Sequence, residues 1–283
     1  MGGFGLDIVR TVTELRGRVG AWRKENQSIA LIPTMGSLHA GHLSLMQLGR
    51  EQSNKVVATI FVNPLQFAPS EDFETYPREE NDDVRKLIDE DVDLLFAPDV
   101  KEMYQTGATT TINVGGLTDS LCAVSRPGFF DGVATVVTKL LLQALPDVAI
   151  FGEKDYQQLL VIKRLVADLD IPVEIIGGPT IREIDGLALS SRNVYLDPKA
   201  RSIAPAIYNI LNRYASAISK GNDIEKCLKL AKKDIQDAGF GKIDYLDLRN
   251  EQTLQRCATK EEPSRLFAAV WLGSTRLIDN ISV

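Results

Sequence analysis

His39 and His42 are the two histidines of this 283-residue chain, and both lie in one stretch, Ile29-Ala-Leu-Ile-Pro-Thr-Met-Gly-Ser-Leu-His-Ala-Gly-His-Leu-Ser-Leu-Met46. Each imidazole can donate a ring N–H to a phosphate oxygen. The stretch opens with a short apolar run, Ile29 to Ile32, of buried-strand type. Pro33 and Gly36 break it, and after Gly41 the residues Leu43, Met46 and Leu48 form an apolar helical side. Strand, tight turn and helix in that order set the unpaired first amides of a helix, with their positive partial charge, beside the two imidazoles. Phosphate handling is the chemistry this suits. A zinc site is disfavoured, because there is no third histidine and Cys122, Cys227 and Cys257 are scattered. Ordinary core or surface histidines are the plain alternative. Gly36 and Gly41 do not make the G-x-G-x-x-G spacing of a dinucleotide loop.

Other stretches carry further polar chemistry. Phe61-Val-Asn-Pro-Leu-Gln-Phe67 sets Asn63 and Gln66 at a strand end. Gln66 can donate and accept, which suits a substrate bearing a hydroxyl and a carboxylate; the alternative is a turn that Asn63 merely caps. Gly152-Glu-Lys-Asp155 precedes a helix that opens with Gln157 and Gln158. Lys154 can neutralise charge developing on a phosphate, although such clusters are usually just solvated. In Asp185-Gly-Leu-Ala-Leu-Ser-Ser-Arg-Asn193, the hydroxyls of Ser190 and Ser191 and the planar guanidinium of Arg192 can clamp phosphate; a polar interdomain loop is the alternative. Arg126, in a Pro-Gly loop, can pair with a substrate carboxylate. Asp82 and Asp83 are the acids to weigh for a metal, but helix-surface acids are ordinarily solvated, and the sequence names no Mg²⁺ ligands.

The elements that must position these groups follow from periodicity. Ile8, Val12, Leu15, Val19 and Trp22 predict an amphipathic helix over 7–25. Strands are expected at 29–32, 55–62, 93–97, 148–151 and 173–176, and helices after Gly41 and over 79–91, 132–144 and 156–169. Residues 109–114 are a further β-rich run. Strands alternating with helices imply parallel strands and right-handed crossovers. The polar stretches 33–42, 63–67 and 152–155 all follow strands, where open α/β sheets bind ligands. Around Asp185-Gly186 the texture changes to two helices, 199–219 and 223–238, and two strands, 243–248 and 266–272. The expected architecture is a Rossmann-like doubly wound parallel α/β sheet over 1–184, with a smaller C-terminal α+β domain over 185–283 acting as a hinged lid.

Composition narrows the class. Hydrophobic residues make up 44% and charged residues 25% of the chain, ordinary values for a soluble globular protein. A net charge of −6 argues against a broad nucleic-acid surface, hence against a synthetase that must hold tRNA. Three dispersed cysteines suit a reducing cytosol. No apolar run reaches the length of a membrane span and no signal peptide is visible. Gly2 follows Met1, but Leu6 spoils a myristoylation motif.

The H-x-G-H turn resembles the HIGH signature of the nucleotidylyl-transferase superfamily. More specifically, Pro33–His42, Phe61–Phe67, Tyr76-Pro-Arg78, Phe151–Asp155, Leu187–Asn193 and Arg276-Leu-Ile-Asp-Asn280 resemble, in order and spacing, the motifs of the pantoate–β-alanine ligase family. The resemblance spans nearly the whole chain, and the set is far more specific than any member. It implies that pantoate attacks the α-phosphate of MgATP, giving pantoyl adenylate and pyrophosphate, and that β-alanine then displaces AMP to give pantothenate. By motif, Met35, Gly36, Ser37, Leu38, His39, Ala40, Gly41 and His42 would contact ATP, with His42 a proton donor. Gly152, Glu153, Lys154 and Asp155 would grip the nucleotide together with Leu189, Ser190, Ser191 and Arg192, and the Ile181 backbone would meet adenine. Gln66 and Gln158 would hold pantoate, with Gln66 also near β-alanine. The catalytic set would be His39, His42, Lys154 and Arg192, in a cytoplasmic homodimer that binds neither nucleic acid nor membrane. Two departures stand out: Phe129 where the family often has His, and Cys122-Ala123 where Glu-Gly is common. Another small-molecule adenylyltransferase and a non-catalytic ATP-binding regulator are the competing readings. The Asn-Pro-Leu-Gln turn argues against the first, and retention of His39, His42, Lys154 and Arg192 against the second.

Overall fold

The computed structural model describes residues 5–68, 71–259 and 263–283, so Gly2 lies outside the described residues. The first element among the described residues is a three-residue strand β1 (Asp7–Val9), where helix is expected. Helix α1 (Val12–Lys24) starts only after Thr11, whose hydroxyl caps it in a reciprocal box with Glu14. Ile8 therefore belongs to a strand, and its match to the helical spacing of Val12 and Leu15 is coincidental. There follow β2 (Ile29–Thr34), α2 (Ala40–Gln52), β3 (Lys55–Ile60), α3 (Glu80–Asp89), β4 (Leu94–Phe96), α4 (Val100–Met103), α5 (Cys122–Ser125), α6 (Phe129–Ala144), β5 (Val148–Gly152), α7 (Tyr156–Asp168) and β6 (Glu174–Gly178). The β-rich run 109–114 forms no strand; the amide of Ile112 donates instead to Thr135 Oγ1 at 2.9 Å.

The six strands form one parallel sheet in the order β1-β4-β3-β2-β5-β6. Strand order reverses between β2 and β5, and it is beyond the carboxyl ends of strands at such a switch point that open α/β sheets bind ligands. β2 buries Ile29 to Ile32 completely, as a central parallel strand covered on both faces must. One core cluster of this sheet joins Ile32 and Ile150 to Leu45 and Met46 of α2 and Leu87 of α3.

The chain folds into two compact units. The first comprises residues 1–116, 126–153 and 161–179; the second comprises 117–125, 154–160 and 180–283. The second contains α8 (Pro198–Ile203), α9 (Ala206–Ser219), α10 (Ile224–Asp237), β7 (Ile243–Asn250), β8 (Ser264–Leu272) and β9 (Thr275–Ser282). The helix expected over 199–219 is two helices, because Pro205 sits at the junction and supplies no amide N–H. Where two strands are expected there are three, in an antiparallel sheet β7-β8-β9. Ile207, Leu211, Ala231 and Ile235 pack on the face that β8 lines with Leu266, Ala268 and Val270. No helix among the described residues is long and apolar enough to cross a membrane.

Candidate active site

The turn after β2 is held from below. Thr34 Oγ1 donates to the carbonyl of Thr59 at 2.6 Å and accepts the amide of Gly36 at 3.2 Å. The chain then passes through two left-handed residues, Gly36 at φ 81° and Ser37 at φ 50°, a conformation costly for any residue but glycine. A Cβ on Gly36 would also lie 3.1 Å from both Asp83 Oδ2 and Ile60 Cγ2. Asp83, in the first turn of α3, braces this turn: its carboxylate accepts the amides of Ser37 at 2.8 Å and Leu38 at 2.7 Å. Lys86 donates to the Leu38 carbonyl at 2.7 Å. Burial pushes the Asp83 carboxyl above the usual range, against the opposing pull of the Leu38 and Ser37 amides and the Lys86 charge. Asp82 pairs with Lys86 at 2.6 Å and Arg85 at 3.2 Å. The two acids weighed for a metal thus serve the backbone and a lysine–arginine pair, and among the described residues no group of three or more His, Cys, Asp or Glu side chains is arranged to hold a metal ion.

The histidines cap α2. His39 Nδ1 accepts the amide of Gly41 at 3.2 Å, and the amide of His39 donates to His42 Nδ1 at 3.4 Å. The rings lie 4.1 Å apart. Accepting at Nδ1 places the proton of each neutral ring on Nε2, so both present Nε2–H as a donor. The helix start and both imidazoles thus come from one short segment.

Beyond β3, residues Pro64–Gln66 form a single 3-10 turn capped by Asn63. Asn63 Nδ2 donates to Gln66 Oε1 and to the carbonyl of Gly132, both at 3.0 Å. Arg126 does not stand open: its guanidinium grips Glu71 at 2.6 and 2.7 Å, donates to the Gln66 carbonyl at 2.8 Å and lies 3.8 Å over the Phe129 ring. Phe129, the family departure, is thus a cation–π platform for Arg126.

The second unit holds its own candidates. Lys154 Nζ lies 3.7 Å from Asp155 Oδ2, and the Lys154 carbonyl accepts from Asn280 Nδ2 at 3.0 Å. Gln157 is buried and committed to the preceding loop, accepting the Cys122 amide and donating to the carbonyls of Leu117 and Ser120; Gln158 is the half-buried member of the pair. Ile181 and Leu189 face each other, the Leu189 amide donating to the Ile181 carbonyl at 3.0 Å. This places Ile181 beside the segment Ser190–Arg192, where Ser190 Oγ accepts the Arg192 amide at 3.3 Å. Arg182 anchors the same hairpin by two bonds of 2.7 Å to Asp279. Asp279 and Asn280 of the C-terminal motif therefore steady the hairpin and the Lys154 backbone. Sequence reasoning does not reach these supporting roles, nor that of Asp83 as a brace; their one local signal is a buried polar type inside a motif.

The sequence profile of the Pantoate-beta-alanine ligase family matches residues 7–282. The chain belongs to the pantoate–β-alanine ligase family. Pantothenate synthetase of Rhodospirillum rubrum is 53% identical over 279 residues, covering 98% of this chain and 99% of the relative. That of Paramagnetospirillum magneticum is 54% identical over 278 residues, covering 98% of each. Among solved structures, pantothenate synthetase of Thermus thermophilus superposes with a TM-score of 0.92 at 44% identity, over 98% of this chain and 99% of that one. A pantoate–β-alanine ligase of Francisella tularensis, solved in complex with beta-gamma ATP and beta-alanine, gives a TM-score of 0.83 at 36% identity, over 98% and 97%. The family fold is thus the one found here, a six-stranded parallel sheet followed by a three-stranded antiparallel one.

Proposed function

We infer that the chain condenses pantoate with β-alanine at the expense of ATP, giving pantothenate. The observation that carries this reading is the family match, which runs from the first strand to the last. The finer mechanism is an adenylation. A pantoate carboxylate oxygen bonds to the α-phosphorus as the bond to pyrophosphate breaks. The neutral amine of β-alanine then bonds to the acyl carbon, AMP leaves with the bonding pair, and the amine sheds a proton. Neither step needs a protein nucleophile; both need charge stabilisation and positioning.

The residues supply this by class. The Met35–His42 turn offers amides and the Nε2–H donors of His39 and His42 to phosphate oxygens. Lys154 and Arg192 carry the cationic charge, the second with a planar fork. Ile181, Leu189, Ser190 and Ser191 complete the nucleotide contacts assigned by motif, with Gly152, Glu153 and Asp155. Gln66 and Gln158 are assigned to pantoate. Arg126, already paired with Glu71, supports the Gln66 turn from its backbone side. Asp83 is spent on backbone amides and Asp82 on Lys86 and Arg85, so neither of these two acids is a Mg²⁺ ligand in this arrangement; Mg²⁺ enters on the triphosphate, largely hydrated. A cytoplasmic homodimer completes the proposal, and sedimentation of the purified chain tests the dimer. Product analysis with pantoate, ATP and β-alanine tests the reaction: pantothenate, AMP and pyrophosphate in equal amounts are expected, and their absence overturns it.

A further inference from the structure

Asn63 is buried and spends its whole hydrogen-bonding capacity inside the protein. Its Oδ1 accepts the amide of Leu65 at 3.2 Å and the hydroxyl of Tyr104 at 2.9 Å. Its Nδ2 donates to the carbonyl of Gly132 and to Gln66 Oε1, both at 3.0 Å. A side-chain amide has two donors and two lone pairs, and here all four are used. Two of the partners have fixed polarity: a backbone N–H can only donate and a backbone carbonyl can only accept. Leu65 and Gly132 therefore decide which end of Asn63 is oxygen, independently of any choice of amide rotamer. The atom of Gln66 that meets Nδ2 must then be its oxygen. Tyr104 agrees with this sense, because burial pushes its hydroxyl up to about 12 and keeps it a donor at neutral pH, against the smaller opposing effect of the Asn63 bond. Turning Gln66 over would set one NH₂ against another and strand buried donors.

We propose that Asn63, backed by Tyr104, is a polarity-setting residue: it holds Gln66 Oε1 against itself, so that the end of the amide turned away from Asn63 is Nε2–H. Asn63 is then a positioning residue, not a substrate contact. The group Gln66 reads must be an oxygen with a lone pair, a carboxylate or hydroxyl oxygen of the acid substrate. The ammonium end of an amino acid has only donors and is turned away from that point. In a reaction between a hydroxy acid and an amino acid, this favours an oxygen of either acid over the amino group at that point. The inference rests on the assignment of Gln66 to pantoate.

Two experiments test it. The first is a double-mutant cycle on the pantoate KM with Asn63→Asp and Gln66→Met. Asn63→Asp keeps the shape but removes the donor, so Gln66 reverses and offers its oxygen. Each single variant should raise the pantoate KM on the order of 10–100-fold, the scale of one charge-assisted hydrogen bond, with ATP affinity within about twofold of wild type on that basis. In the Gln66→Met background, Asn63→Asp should add almost nothing. An equal added loss there would mean that the new charge or a damaged fold is responsible, and would overturn the proposal. The second uses the wild-type protein and so survives any failure of a variant to fold. A neutron structure of the perdeuterated chain should show two deuterons on the Gln66 atom facing away from Asn63; two deuterons on the atom facing Asn63 would sink the idea. If the wild type makes no pantothenate, the functional reading fails on its own while the neutron result still stands or falls separately.

Discussion

At the residue scale, the hydrogen bonds of the candidate site fix the tautomers and rotamers of its polar groups. His39 and His42 each accept a backbone amide at Nδ1, which in a neutral ring puts the proton on Nε2. His39→Ala or His42→Ala should therefore slow pyrophosphate release in a single turnover, by on the order of 10²–10³ if each donor meets a transition-state oxygen. Wild-type rates in both variants would remove them from the chemistry. Asp83→Asn sets two effects against each other. The amide relieves a carboxylate that burial disfavours, yet it can accept only one of the two turn amides and points an NH₂ at the other. The terms are similar, about 1–3 kcal/mol each, so the thermal midpoint should move by only a few degrees, at about 2–4 °C per kcal/mol. The looser turn should still weaken ATP binding by about tenfold, one bond's worth. Calorimetry beside an ATP titration separates the two; a large loss of stability with intact ATP binding would make Asp83 a fold residue only.

At the element scale, α6 sets the position of the Gln66 turn. A Cβ on Gly132 would lie 2.2 Å from the carbonyl oxygen of Leu65, a backbone atom with little room to yield. The same glycine carbonyl receives Asn63 Nδ2. Gly132→Ala must therefore push the 64–66 turn away from the helix. Overpacking of this kind costs about 1–3 kcal/mol, and the pantoate KM should rise at least about tenfold as the Asn63–Gln66 bond loses its support. ATP affinity should hold, because the β2 turn is braced by α3 and not by α6. Steady-state kinetics in each substrate decides the matter, and an unchanged pantoate KM would refute this coupling.

At the scale of the whole molecule, the second unit depends on buried carboxylates. Asp247 is opposed by burial but held below its ordinary value of 3.8 by bonds from Arg249 and Arg256. Asp244 is likewise opposed by burial and held down by Lys242, Arg276 and Trp271. A lowered native pKa contributes stability that is fully present above the unfolded value and is lost as pH falls through the native one. The thermal midpoint should thus fall as pH drops below about 4, the ordinary carboxylate value. Asp247→Asn should be less stable at pH 6 and show a shallower acid decline; a parallel decline in both proteins would mean that this network does not titrate on unfolding.

Local pattern by itself determined the alternation of strands and helices, because periods of two and 3.6 residues are written into each segment without reference to its partners. It determined too that 33–42, 63–67 and 152–155 follow strands, which is enough to aim a ligand crevice at the carboxyl edge of the sheet. Tertiary structure alone decided the rest. Ile8 fits a helical stripe as well as a strand, and only the pairing of Asp7–Val9 with Leu94–Phe96 makes it β. The run 109–114 has strand-forming residues but finds no strand to pair with, so its amide at Ile112 turns to Thr135. β9 exists because β8 offers it an antiparallel edge. The same holds for single side chains. Asn63 reads from the sequence as a binder or a cap, and its use is decided by Tyr104 and Gly132, 41 and 69 residues away. Asp83 reads as a surface acid until Ser37 and Leu38, 46 and 45 residues distant, bring their amides to it. Residue type fixes what a group can donate or accept; only the fold chooses which neighbour uses it.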